Sequence, residues 1–220
     1  TICFFVLLGI TGNANVSLPE IFANNMVLQQ NSEVAFWGWA KPGETVVIKP
    51  DWSDAEFKVK STNMGTWKIN VQTPAAGGPY NIRLKGYNEI ILENVLIGEV
   101  WLCSGQSNME WSPQAGIING EEEIAKANFP EIRFFLVDVS SAKYPQQHVS
   151  GKWTSCTPET MKSFSAIGYF FGKKLHEVQD VPIGLINSSW GGTPAEAWMP
   201  KEAIDKDEFL AKAAGLQKPV

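Results

Sequence analysis

Trp101-Leu102-Cys103-Ser104-Gly105-Gln106-Ser107-Asn108-Met109-Glu110 is the stretch on which the reading of this chain turns. The apolar run at residues 100–103 has the length and residue types of a strand. It stops at Ser104-Gly105, and Ser107 follows at once. A serine just past a strand end, at the mouth of a tight turn, stands where an open α/β sheet places its chemistry. A helix beginning at Ser107 would leave free backbone N–H groups able to stabilise an oxyanion. The competing reading is structural. Serine is a favoured N-cap, and the local pattern taken alone favours the cap.

Working outward from this stretch, the chain alternates strand and helix. Residues 132–137 read as a second strand. Thr157-Pro158-Glu159-Thr160 reads as a helix start, with proline at the first helical position. Residues 165–178 carry an apolar helical face of Ala166, Tyr169, Phe170, Leu175 and Val178. Residues 181–186 form a third strand, ending at Asn187-Ser188-Ser189-Trp190-Gly191-Gly192. This is the start of a doubly wound α/β domain over residues 95–220. Three strands do not complete such a sheet, so the domain is expected to be cut off at Val220.

Towards the N-terminus the rhythm is different. Short apolar strands at 34–39, 45–48, 56–60 and 65–71 are separated by turn residues. Residues 80–85 and 89–92 read as a hairpin around Gly86-Tyr87-Asn88, and 74–79 as a loop. Strands at this spacing without helical period indicate a small β-sandwich over residues 17–94. Residues 2–10 are a short apolar run followed by small polar residues. That pattern is expected of the remnant of a secretory signal peptide, residues 1–16, with its basic beginning missing. The run is too short to span a bilayer, and a buried strand is the alternative. Secretion or a periplasmic location follows from the signal-peptide reading.

The 220 residues are 44% hydrophobic and 19% charged, ordinary for a globular protein. A net charge of −5 offers no basic patch, which argues against a nucleic-acid partner. It also gives no long-range attraction to an anionic sugar, so any carboxylate would have to be recognised locally. Among nine Trp, those at 37, 39, 52 and 67 lie in strand contexts and are most simply core. Only Cys103 and Cys156 lie in the expected mature part. Their pairing is open, with Cys103 favoured as a buried thiol. No zinc spacing or other metal cluster is legible.

The string Gly98-Glu99-Val100-Trp101-Leu102-Cys103-Ser104-Gly105-Gln106-Ser107-Asn108-Met109 closely resembles the nucleophile block of the sialate O-acetylesterase family, a branch of the SGNH (GDSL-like) serine esterases. The likeness continues at Ile186-Asn187-Ser188-Ser189-Trp190-Gly191-Gly192-Thr193-Pro194-Ala195-Glu196-Ala197-Trp198. It also touches Leu18-Pro19-Glu20-Ile21-Phe22-Ala23-Asn24-Asn25-Met26-Val27-Leu28-Gln29-Gln30. It thus spans nearly the whole chain after residue 17. The block is not a G-x-S-x-G elbow, because Met109 stands where that motif needs glycine.

The resemblance implies an SGNH-like α/β fold and serine acyl transfer on an acetylated sugar, with sialic acid as the sugar and no cofactor. It makes Ser107 the nucleophile and its own N–H an oxyanion donor. Gly191 and Gly192 are expected to contribute the second donor, with no choice between them, and Gln106 and Asn108 to contact substrate. The family's third oxyanion block and its Asp-x-x-His or Asp-x-His block are missing. His148 lies in a polar loop. His176 ends an amphipathic helix, where it is most simply a surface residue. Asp138 ends the second strand, where turn or cap residues are common. The base is therefore expected beyond residue 220, and the isolated chain is expected to be inactive. Two alternatives stand: an acetylxylan or other sugar acetylesterase of the same superfamily, and a non-catalytic carbohydrate-binding module. Oligomeric state is left open.

Overall fold

The computed structural model describes residues 15–142 and 144–216, the last four of these by backbone only. The apolar run at 2–10 lies outside the described residues. Among the described residues ten strands are formed: β1 (Val27–Gln29), β2 (Glu33–Trp39), β3 (Thr45–Pro50), β4 (Phe57–Lys60), β5 (Thr66–Gln72), β6 (Gly77–Lys85), β7 (Glu89–Gly105), β8 (Phe129–Val137), β9 (Gly151–Cys156) and β10 (Ile183–Ser189). The helices are α1 (Ser107–Glu110), α2 (Gly120–Lys126), α3 (Pro158–Met161), α4 (Ala166–Gln179), α5 (Lys201–Ile204) and α6 (Glu208–Leu216).

One sheet runs β4-β3-β6-β7-β10-β8-β9, with β1 beside β7, and an antiparallel ribbon β2–β5 stands apart. The two are a sandwich at the N-terminal end. Phe36, Trp67 and Val71 of the ribbon close on Val46, Ile48, Ile82, Leu84 and Leu92 of the sheet in one apolar core. The expected alternation of strands over 33–72 is present, since period-2 patterning sends one side of each strand inward. Val16 is buried in this core, and its backbone N–H and C=O are both bonded by the Asn88 side chain. The folded N-terminal part thus takes in Val16, one residue before the boundary read from the sequence.

β7 changes the character of the sheet halfway along its length. Its first half pairs antiparallel with β6, and its middle pairs parallel with β1. Its last seven residues pair parallel with β10, from Ile183↔Glu99 to Ser189↔Gly105. The two regions drawn at residues 94 and 95 therefore share a single strand, and no linker separates them. β10 pairs parallel with β8, and β9 closes the edge antiparallel to β8. β9 was not legible in the sequence, and β6 starts inside the segment read as the 74–79 loop.

α4 covers one face of the parallel strands, packing Cys103, Ile132, Phe134, Ile183 and Leu185 beneath Tyr169. Among the described residues the other face is covered by the N-terminal domain: Phe135, Trp153 and Ile186 join its core, and Trp153 donates to the Ile21 carbonyl at 2.8 Å. The buried side of α4 differs from the expected one. Ala166 and Tyr169 are inward, but Phe170 and Val178 are exposed, and Gly168 and Gly172 lie against the sheet instead. A Cβ on Gly172 would stand 2.6 Å from Leu185 Cδ1. The helix packs close to β10 at Gly172, where a larger side chain would press on the Leu185 side chain, while Tyr169 is the aromatic it buries. Thr157 and Thr160 form the capping box that starts α3. Cys103 and Cys156 are free and buried in the same cluster; burial raises both thiols, Cys156 to about 12.

Candidate active site

Ser107 stands at the carboxyl end of β7, where the strand stops at Gly105, whose φ is +133°. It is the first helical residue of α1, and the cap position belongs to Gln106, which makes no side-chain cap bond. The capping role that the local sequence favours is therefore not filled by Ser107. Among the described residues its exposed hydroxyl has one hydrogen-bond partner, Gln106 Oε1 at 3.5 Å, at the outer limit of such a bond. As the first residue of the turn, Ser107 also has a backbone N–H without a helical acceptor.

The segment after β10 folds onto this turn. In-register pairing brings Ser189 beside Gly105, so the two strand-end loops leave the sheet side by side. Trp190 N–H donates to the Gly105 carbonyl at 3.0 Å, and Gly191 N–H donates to Glu110 Oε2 at 2.7 Å. Gly191 lies against the serine: a Cβ there would be in ordinary contact, 3.5 Å from Ser107 Cα. Thr193 donates to the Trp190 carbonyl and accepts from Trp198 Nε1, which holds the far side of the loop. Ser107 and the Gly191-Gly192 pair, 84 residues apart, are thus brought together.

The two glycines are not equivalent. The Gly191 N–H is engaged by the Glu110 carboxylate. Gly192, at φ +78°, makes no backbone hydrogen bond through its N–H among the described residues. Of the two expected donors, Gly191 is the one already paired in this structure. Gln106 and Asn108 are exposed on either side of Ser107. Asn108 borders an apolar cleft of about 510 Å³ lined also by Trp111, Ile117, Ile167 and Phe170. A second cavity, of about 580 Å³, lies under Gln146 and Gln147 against Trp37 of the ribbon, apart from Ser107.

Neither histidine reaches the serine. His148 is tied to the N-terminal domain, 3.9 Å from Glu20 and edge-on to Trp39. His176 Nδ1 is 2.8 Å from the Val181 carbonyl, ahead of β10 and so at the amino end of the sheet. β10 alone separates that end from the level of Ser107 by roughly 20 Å at ~3.3 Å per residue. Asp138 follows β8 on the carboxyl edge, but β10 lies between β8 and β7, so it stands roughly 10 Å away by strand spacing. Among the described residues no cluster of His, Cys, Asp or Glu could hold a metal ion.

Glu110 is the site residue that the sequence reading passed over. Its signal was its place three residues after Ser107, one turn along the same helix face. Ser104, by contrast, lies within β7, in register with Ser188. Ser104→Ala is expected to change acetate release by less than about tenfold, as loss of a supporting hydrogen bond would. A loss equal to that of Ser107→Ala in the same assay would identify Ser104 as the nucleophile instead.

A family model described as carbohydrate esterase, sialic acid-specific acetylesterase matches residues 97–217. The chain is 33% identical over 214 residues to sialate O-acetylesterase of Homo sapiens, across 89% of this chain and 39% of that protein. It is 31% identical over 200 residues to the Rattus norvegicus protein of the same name, across 82% and 37%. A crystal structure of a carbohydrate acetylesterase from Xanthomonas citri superposes with a TM-score of 0.82 at 38% identity, covering 86% of this chain and 43% of that one. The chain spans about two fifths of the length of the curated relatives it matches.

Proposed function

We propose, because the chain belongs to the carbohydrate esterase family of sialic acid-specific acetylesterases, that it carries the nucleophile half of a sugar O-acetylesterase site. The observation that carries this reading is the Ser107 hydroxyl: exposed at a strand end, free of structural duty, with the Gly191-Gly192 loop packed against it. Oγ attacks the acetyl carbonyl as a general base takes its proton. The tetrahedral oxyanion is held by the N–H of Ser107 and, since Gly191 is engaged, by that of Gly192. Collapse releases the sugar hydroxyl, which takes the proton back from the base. Water then hydrolyses the acetyl-enzyme to acetate. Gln106 and Asn108 contact the sugar from either side of the serine.

The base is a histidine of an Asp-x-x-His or Asp-x-His pair supplied by chain beyond these 220 residues. The longer relatives and the distance of His148 and His176 from the serine support this. The family description supports O-acetylated sialic acid as substrate. The Xanthomonas citri relative, described only as a carbohydrate acetylesterase, supports a second reading in which other acetylated sugars are hydrolysed. The apolar run at residues 2–10 supports export as a secreted or periplasmic protein.

The test is acetate release from O-acetylated sialic acid and from acetylated xylo-oligosaccharide. It compares the protein containing this chain with its downstream part against residues 1–220 alone. The longer protein is expected to turn over the sialic acid ester faster, and residues 1–220 to release no acetate, because an unassisted serine is a poor nucleophile at neutral pH. Turnover by residues 1–220 that is lost in His148→Ala or His176→Ala would overturn this account of the base.

A further inference from the structure

We infer that Glu110 is a positioning residue: its carboxylate clamps the Gly191 N–H and thereby holds the 190–192 loop, and the oxyanion donor on it, against Ser107. The inference rests on the reading of Ser107 as nucleophile and adds a residue to which that reading gives no role.

The geometry is that of a deliberate tie. Ser107 and Glu110 are the first and last residues of α1, a single turn, so both project from one short rigid unit. Glu110 is exposed, yet its Oε2 accepts from Gly191 N–H at 2.7 Å, the short distance of a charge-assisted bond. Gly191 lets the carboxylate come this close, because a side chain there would push Glu110 away. A Cβ there would stand 2.5 Å from the same Oε2. The second link, Trp190 N–H to the Gly105 carbonyl, ties the loop to the other side of the same turn. Nucleophile and loop are thus fixed to each other through α1, across 81 residues of sequence.

A carboxylate this near a developing oxyanion needs a reason to be there, since its charge opposes the charge forming on the substrate. The clamp supplies one. The lone pair facing the loop is occupied by an N–H, and two consecutive glycines, flexible when free, become a fixed donor platform. A displacement of about 1 Å in such a donor costs roughly 10²-fold in rate. A contrary role is equally concrete. Glu110 would be a plug if Gly191 N–H were the true oxyanion donor and had to be released before reaction.

Three substitutions in the active longer protein separate these roles. Glu110→Ala removes the acceptor, Glu110→Asp withdraws it by one methylene, and Glu110→Gln keeps an acceptor oxygen in place without charge. The clamp predicts a kcat fall of about 10–100-fold in Glu110→Ala and Glu110→Asp, the range for lost supporting interactions. KM should stay within about threefold and Glu110→Gln within about fivefold of the parent. Amide hydrogen exchange at Gly191 should be slow in the parent and in Glu110→Gln, and fast in Glu110→Ala. A raised kcat in Glu110→Ala would establish the plug and overturn the clamp. So would a Glu110→Gln as impaired as Glu110→Ala, which would mark a proton-transferring or purely electrostatic carboxylate. Unchanged kcat in Glu110→Ala, or exchange at Gly191 insensitive to it, would also refute the clamp. Failure of the underlying reading shows separately: Ser107→Ala would then retain turnover, and Gly191 exchange alone would decide whether the tie exists.

Discussion

Replacing Ser107 by alanine in the longer protein is expected to lower acetate release by about 10³-fold or more, because removal of an acyl-transfer nucleophile leaves only oxyanion stabilisation and binding. The expectation is clean on structural grounds. Ser107 is exposed and gives no cap bond to α1, and among the described residues its hydroxyl has a single hydrogen-bond partner, at 3.5 Å. No buried group loses a partner and no cavity opens, so the thermal midpoint should move by less than about 2 °C, as for other surface changes. Rate and stability are therefore read separately on one variant. Turnover near that of the parent would dismiss the esterase assignment for this serine, whatever the activity of the protein as a whole.

The largest stability effect is expected at Gly98. This residue is buried in β7 at the point where β1 ends beside it and the chain enters β10. Gln30 N–H donates to its carbonyl at 2.7 Å, and the next N–H, of Glu99, donates to the Pro182 carbonyl at 2.9 Å. A Cβ on Gly98 would fall 1.9 Å from that carbonyl oxygen and 2.7 Å from its carbon. Both are backbone atoms of one carbonyl, whose oxygen is held by the Glu99 N–H, so no side chain can swing away to make room. Gly98→Ala is expected to destabilise by about 3 kcal/mol, the upper range for overpacking a close-packed interior. At this chain size that is a fall in midpoint of roughly 6–12 °C. Thermal and urea melts that agree with the parent would show that the Pro182 carbonyl yields. The consequence for function is direct, because the Gly98–Pro182 contact sets the register that delivers Ser189 beside Gly105 and hence the glycine loop beside Ser107.

How much of this was legible depends on how local the cause is. The strands of the ribbon and of β3 and β4 follow from alternation within a few residues. α3 follows from a threonine and a proline at its start, and the serine from a strand that ends in Ser104-Gly105. β7 is different. Asn94 adopts a positive φ and Gly98 has no side chain, so the apolar pattern over 89–105 is broken twice and reads as separate pieces. The strand persists because β6, β1 and β10 each supply hydrogen-bond partners along its length. β9 is likewise specified by β8, to which it pairs across the 138–150 segment.

The sequence by itself determined the strand-rich N-terminal part, the shift to strand and helix near residue 95, the family and the candidate serine. Each of these resides in short runs whose residue types and spacing act on their own backbone. Only the tertiary structure decided that Phe170 faces outward while two glycines face the sheet, and that both histidines lie away from Ser107. It also decided that Gly191, offered as an oxyanion donor, gives its N–H to Glu110. These outcomes depend on which strand lies beside which and how closely the layers approach. Such contacts join residues scores of positions apart, and no local propensity encodes them.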